Sequence, residues 1–193
     1  MKILKKIVLW LLIVIALVSL LAQLLPADWK VVRSTETAAS PESVYPQIAT
    51  VRHWEQWNSF SLEDPAIVNT YSGPETGVGA SVEWKSKKFG DGGAKITQAF
   101  PPSGIEYDMH FAAFKEHSTG RILVTPTESG SRITYSVEGR YGHNPVHRIM
   151  GLFVDTFLGK FFERSLAHLK AVSEASPVTP SASEESVPAT QVP

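Results

Sequence analysis

The stretch that decides the fold runs from residue 54 to residue 84, WEQWNSFSLEDPAIVNTYSGPETGVGASVEW. It opens on a W-x-x-W pair (Trp54, Trp57), turns at Asp64-Pro65, passes through a Gly- and Pro-punctuated segment from Tyr71 to Ala80, and ends in a strand that carries Trp84. An indole buries a large area, so three tryptophans among Gly and Pro breaks predict one curved, aromatic-lined surface rather than scattered packing.

Working outward, alternation of apolar and polar residues predicts antiparallel strands with one dry and one wet face. Ala80, Val82 and Trp84 alternate with Ser81, Glu83 and Lys85; Ile105, Tyr107, Met109 and Phe111 with Glu106, Asp108 and His110; Ile133, Tyr135 and Val137 with Arg132, Thr134 and Ser136. The expected strands are 33–38, 67–71, 80–85, 94–99, 105–111, 118–125 and 132–138. Ser40 followed by Pro41 starts a short helix that runs to Ala49, and Asn144-Pro145 starts a long one that runs to about Val172. The long helix shows one apolar stripe of Val146, Ile149, Met150, Phe153 and Phe157, and a second, rotated stripe of Phe161, Phe162, Leu166 and Leu169. Glycine is unfavourable inside a helix, so Gly151 and Gly159 suggest close backbone approach or a bend. A short helical pair, seven antiparallel strands and one long helix give an α+β class.

The order of these signals, with the Gly-rich run into Lys95-Ile96-Thr97, Phe100-Pro101-Pro102 and the closing FFERSLAHLK of residues 161–170, resembles the membrane-anchored branch of the SRPBCC superfamily. This is the START-like or polyketide cyclase/dehydrase and lipid transport group. The resemblance implies a helix-grip fold, in which the sheet clasps the C-terminal helix around a cavity for a lipophilic small molecule or lipid. Some members are cyclases and dehydratases, so an enzyme acting on a hydrophobic substrate is the alternative, and an envelope interaction module with a self-filled cavity is a third.

Trp54, Trp57, Trp84, Tyr107, Met109, Phe111, Tyr135, Phe153 and Phe157 are the expected ligand-binding residues. An inward aromatic is most often plain core, but apolar pockets are lined by such residues with a few polar anchors. Tyr107 and Tyr135 are anchor candidates because a buried hydroxyl demands a partner. No catalytic constellation is visible and no cofactor is expected. Glu83, Glu106, Asp108 and Glu138 fall on wet strand faces; Glu55 and Asp155 are the carboxylates least easily read as solvated. His143 and His147 have a helical metal-ligand spacing, but His143 precedes the Asn144 cap and no third ligand follows. The chain contains no G-x-S-x-G, and its Gly-rich segment of residues 72–80 leads into a strand rather than a helix, unlike a phosphate loop. The basic cluster Lys85, Lys87 and Lys88 beside Phe89 reads as a solvated hairpin tip, with anionic lipid headgroups as its functional alternative.

Composition bounds the rest. A net charge of -1 and a pI near 6.6 argue against nucleic acid, because no basic stripe is present to release counterions. The absence of cysteine excludes disulfides and thiolate chemistry. Lys2, Lys5 and Lys6 precede an apolar run from Ile7 to Leu25, roughly the 17 to 25 residues that span a bilayer. A cleaved signal peptide normally has a shorter apolar region, of about 7 to 15 residues, and a small-x-small site. The expectation is therefore a single-pass anchor over residues 1–27 in an inner or plasma membrane, with the N-terminus cytoplasmic. The domain, residues 28–172, is then exported, and Trp29 sits at the outer interface. Residues 173–193, acidic and rich in Ser and Pro, read as a disordered tail.

Overall fold

A computed structural model of the chain describes residues 2–112 and 117–176. An apolar helix α1 (Lys2–Ala22) leads into strand β1 (Asp28–Thr37), followed by the short helices α2 (Pro41–Ala49), α3 (Trp54–Trp57) and α4 (Ser59–Glu63). Six strands follow: β2 (Val68–Ser72), β3 (Ser81–Lys85), β4 (Gly92–Phe100), β5 (Gly104–Phe111), β6 (Ser118–Thr127) and β7 (Gly130–Arg140). Two helices close the described part, α5 (Pro145–Gly151) and α6 (Val154–Ala175).

The strands form one sheet in the order β1-β7-β6-β5-β4-β3-β2, every neighbour antiparallel. This is the expected α+β arrangement, a seven-stranded sheet with α6 laid across its dry face. Alternation sets that face: Ile105 and Tyr107 of β5, Ile122 and Val124 of β6, and Ile133, Tyr135 and Val137 of β7 are buried together with Phe161, Phe162, Leu166 and Leu169 of α6. Phe162 stacks on Tyr135 with ring centroids 4.2 Å apart. β1 begins five residues earlier than its alternation suggested, because Trp29 and Val31 continue the inward set, whereas the inward Arg33 and Thr35 mask it. Arg33 is inward for a reason. Its guanidinium lies over Gly159 of α6, where a Cβ would collide with it, and binds Asp155 at 2.9 Å and Glu163 at 2.8 Å.

The C-terminal helix departs from expectation in three respects. It is broken at Leu152 and Phe153, where the amides of both close back to Ile149 and Met150 in i to i+3 bonds before α6 starts afresh. The break lies between the two glycines; Gly151 and Gly159 serve close approach instead, Gly151 beneath the ring of Tyr141. Second, the stripe of Val146, Met150, Phe153 and Phe157 is exposed, because α5 lies against α1 and the sheet does not reach it. α6 also runs past Val172 to Ala175, three residues into the expected tail, the rest of which from residue 177 lies outside the described residues. Ser173 is buried, and Glu174 accepts bonds from the Thr37 hydroxyl and the Ala38 amide, both at 2.9 Å.

Candidate functional site

The space between the sheet and the helices divides into an inner cavity of about 60 Å³ and an outer cleft of about 530 Å³. Phe60, Met109, Phe111 and Leu158 line both and form the neck between them. The division follows from β5. Its inward residues pass from buried (Ile105, Tyr107) to half-buried (Met109, Phe111) as the strand leaves the packed end of the sheet and reaches the end where β1 begins. The inner cavity admits a few waters. The outer cleft falls within the roughly 300 to 1,000 Å³ of ordinary ligand sites.

Of the aromatic and Met residues singled out from the sequence, Trp54, Trp84, Tyr107, Met109, Phe111 and Tyr135 line the inner cavity. Met109, Phe111, Phe153 and Phe157 line the outer cleft. Trp57 lies behind the wall. It is fully buried, donates its Nε1–H to the Gln47 carbonyl at 2.9 Å, and sets its ring edge-on to Tyr135. Trp54 is held similarly, Nε1 to the Ile48 carbonyl at 2.8 Å, with its ring 5.1 Å from that of Tyr107. The W-x-x-W spacing thus hangs both indoles on consecutive carbonyls at the end of α2.

The two tyrosines satisfy each other. Tyr107 of β5 and Tyr135 of β7 reach across the intervening strand β6, and their hydroxyls meet at 2.9 Å. Gly120, opposite Tyr107 in the register, makes this crossing possible, since a Cβ there would fall inside the phenol ring. Burial pushes the Tyr107 phenol well above its ordinary value and that of Tyr135 up to about 12, so both are protonated at neutral pH. One hydroxyl donates to the other, which leaves the pair one further O–H proton to offer.

A second polar group stands at the edge of the inner cavity. Glu55 accepts a short hydrogen bond from the Tyr71 hydroxyl and another from Asn69 Nδ2 at 2.8 Å, and these two bonds hold its carboxyl below the usual carboxylate range. Arg52 caps the Tyr71 ring at 4.4 Å. Asp155 is held by Arg33, as described above. Glu83, Glu106 and Glu138 face outward and pair with His110, Arg121 and Lys30. Among the described residues no three metal-capable side chains converge.

Sequence reasoning missed Phe60 and understated Phe89. Phe60 stacks on Phe161 at 4.6 Å and meets Phe89 edge-on at 5.1 Å. The Lys85–Lys88 tip is not simply solvated. Ser86 Oγ donates to Asp64 at 2.6 Å and accepts from the Phe89 amide, which folds the tip back and sets Lys88 and Phe89 on the cleft wall. Phe60 lies in a five-residue helix too short to show a period, so only its position three after Trp57 hinted at a shared face.

Comparison with known proteins agrees with this geometry. Protein CV1439 from Chromobacterium violaceum superposes with a TM-score of 0.56 at 18% identity, covering 75% of this chain and 96% of that one. A protein of unknown function from Staphylococcus aureus, SA2116, superposes with a TM-score of 0.59 at 12% identity, covering 78% and 96%. Ara h 8.0201 superposes at 0.52 with 12% identity, covering 77% and 99%. At these identities the likeness is one of fold, and it is the helix-grip fold. No curated protein matches the sequence. The family described as polyketide cyclase / dehydrase and lipid transport matches residues 28–174, and the chain belongs to that SRPBCC-type family.

Proposed function

We propose that the protein is a membrane-anchored binding protein for a lipophilic small molecule or lipid, held in the cleft and inner cavity. The observation that carries this reading is an open, aromatic-lined cleft of about 530 Å³ that shares Phe60, Met109, Phe111 and Leu158 with an inner cavity lined by the hydrogen-bonded Tyr107–Tyr135 pair. An apolar chain fits the cleft and the neck, and a carbonyl or hydroxyl at its tip suits the remaining phenolic proton. The open cleft weighs against an interaction module with a self-filled cavity.

Anchoring is supported by α1. Ile3–Ala22 contains an 18-residue window of mean hydropathy 2.5 of which the described residues bury none, and only Ala22, at the end of the span, is buried. The lysines at its start favour a cytoplasmic N-terminus in an inner or plasma membrane, with the domain on the far side.

The Tyr pair also favours a second reading, a cyclase or dehydratase in which a buried phenol polarises a substrate carbonyl. Such chemistry also needs a base. Glu55, the carboxylate that lines the cavity, is weakened for that role by the two hydrogen bonds that stabilise its charge. Binding is therefore the better-supported reading.

The test is photo-crosslinking of the full chain in lipid nanodiscs with a diazirine fatty acid, followed by peptide mapping. Adducts are expected on the peptides that carry Met109 and Phe111 and to fall several-fold when Leu158→Trp fills the neck. Adducts confined to α1, unchanged in that variant, would refute the binding reading.

A further inference from the structure

No residue of α5 is buried, although Val146 and Met150 are apolar, and the turn after it adds Leu152 and Phe153. Val146 is 59% exposed, Met150 51%, Leu152 59% and Phe153 65%. Large apolar side chains gathered in so short a stretch, uncovered by any other described residue, mark an interaction surface.

What covers it follows from how α5 is fastened. Arg148 donates from Nη1 to the carbonyls of Gln23 at 2.8 Å and Leu25 at 3.0 Å, and Gln23 Nε2 donates back to the His143 carbonyl at 2.9 Å. Ala22 is buried in the same junction. These bonds tie α5 to the residues that follow the last turn of α1. A 20-residue helix at about 1.5 Å per residue matches a hydrocarbon core of about 30 Å. The end of α1 therefore emerges at the bilayer surface, and α5 stands level with it. Trp29 and Tyr141, stacked at 5.8 Å at this end of the sheet, are residue types that favour that depth. Met150 and Phe153 line the outer cleft, and so do Lys88, which donates to the Glu63 carbonyl at 2.8 Å, and Arg140, 3.6 Å from Asp28; both cations keep further N–H donors that suit a lipid phosphate.

We propose that α5 and the α5–α6 turn rest in the leaflet from which α1 emerges. The outer cleft opens into that leaflet, and its ligand is a membrane lipid that slides between bilayer and cleft without crossing water. The inference rests on the anchored, ligand-binding reading above and deepens it by naming the lipid's source.

The chain has no cysteine, so nitroxide labels can be placed singly on the full chain in phosphatidylcholine vesicles containing phosphatidylglycerol. Four sites suffice: Val14→Cys in mid-α1, Val146→Cys, Phe153→Cys, and Glu128→Cys in the β6–β7 turn. The last lies at the opposite end of the ten-residue β1, about 30 Å away at 3.3 Å per residue. Collision with a water-soluble nickel chelate is expected to be several-fold lower for the labels at 146 and 153 than at 128, and lowest at 14. Labels at 146 and 153 as accessible as the one at 128, with 14 shielded, would overturn the inference and leave the anchor standing. An accessible label at 14 would overturn both.

A second measurement addresses the ligand. A diazirine phospholipid resident in the vesicles should label the Met109 and Phe111 peptides, and Val146→Asp, which lies outside the cleft, should reduce that labelling several-fold. Labelling by diazirine decanoate added from water should stay unchanged in the same variant. If decanoate labels the cleft and the phospholipid never does, the lipid source proposed here is wrong while the cavity's binding role survives.

Discussion

Replacing the Tyr107 and Tyr135 hydroxyls one at a time and then together tests the interior of the site most directly. Both phenols are buried and each has the other as its hydrogen-bond partner at 2.9 Å. Removing either hydroxyl orphans a buried polar group, a change that costs about 1 to 3 kcal/mol, whereas removing both partners of a buried bond is nearly neutral. Where in that range the single variants fall depends on whether the orphan finds water. The adjoining cavity of about 60 Å³ has room for it, since one water needs only about 10 to 15 Å³ of such space. Tyr107→Phe and Tyr135→Phe should therefore each cost about 1 kcal/mol rather than about 3, with the double variant costing no more than one single.

Chemical denaturation of residues 23–193, which keep the Gln23 and Leu25 carbonyls that bind Arg148, supplies the three values for a double-mutant cycle. The expected coupling is at least about 1 kcal/mol, well beyond the roughly 0.3 to 0.5 kcal/mol by which independent sites depart from additivity. Additive losses would show that the hydroxyls do not depend on each other and would remove the dyad as the polar end of the site.

Leu166, 2% exposed under the sheet, should lose about 2 to 5 kcal/mol on change to Ala while retaining cleft labelling. Phe157→Ala, on the exposed stripe, should change unfolding free energy by no more than about 0.5 kcal/mol yet weaken labelling of the Met109 peptide. Asp155 gives a pH signature. Its hydrogen bonds to Arg33 depress its carboxyl, so its contribution is complete above the unfolded value of about 3.9 and fades as pH falls through the lower folded value. The thermal midpoint of Asp155→Asn should therefore lie below wild type at pH 7 and converge with it at low pH; a gap that persists in acid would point to packing over Gly159 instead of charge.

The sheet was legible because Ile105-Tyr107-Met109-Phe111 and Ile133-Tyr135-Val137 repeat at period two, and a period-two set turned to one dry face leaves little choice of register. The tyrosine dyad was not. It depends on β6 lying between β5 and β7 and on Gly120 standing beneath the Tyr107 ring, which are pairings between distant segments with no local trace. β1 hid its first half for a related reason: inward Arg33 looks polar along the chain but is satisfied by Asp155 and Glu163, more than a hundred residues away.

The two apolar stripes after Asn144 show where sequence periodicity stops being informative. Val146, Met150, Phe153 and Phe157 repeat at helical spacing as convincingly as Phe161, Phe162, Leu166 and Leu169, and periodicity assigns both to a core. The structure separates them by what lies opposite. The second stripe meets the dry face of the sheet, and the first, among the described residues, lies along the end of α1 and the rim of an open cleft. Core burial of an apolar stripe needs a covering element of the same chain, and among the described residues none covers this one, because the sheet's last strand ends at Arg140 and the turn at Leu152 and Phe153 carries α6 away from α5. On the membrane reading proposed above, a stripe kept apolar without such cover, bonded through Arg148 to the residues that follow a helix long enough to cross a bilayer, has its solvent supplied by that bilayer. On that reading the break at Leu152 and Phe153 lets α5 lie along the bilayer while α6 lies along the sheet.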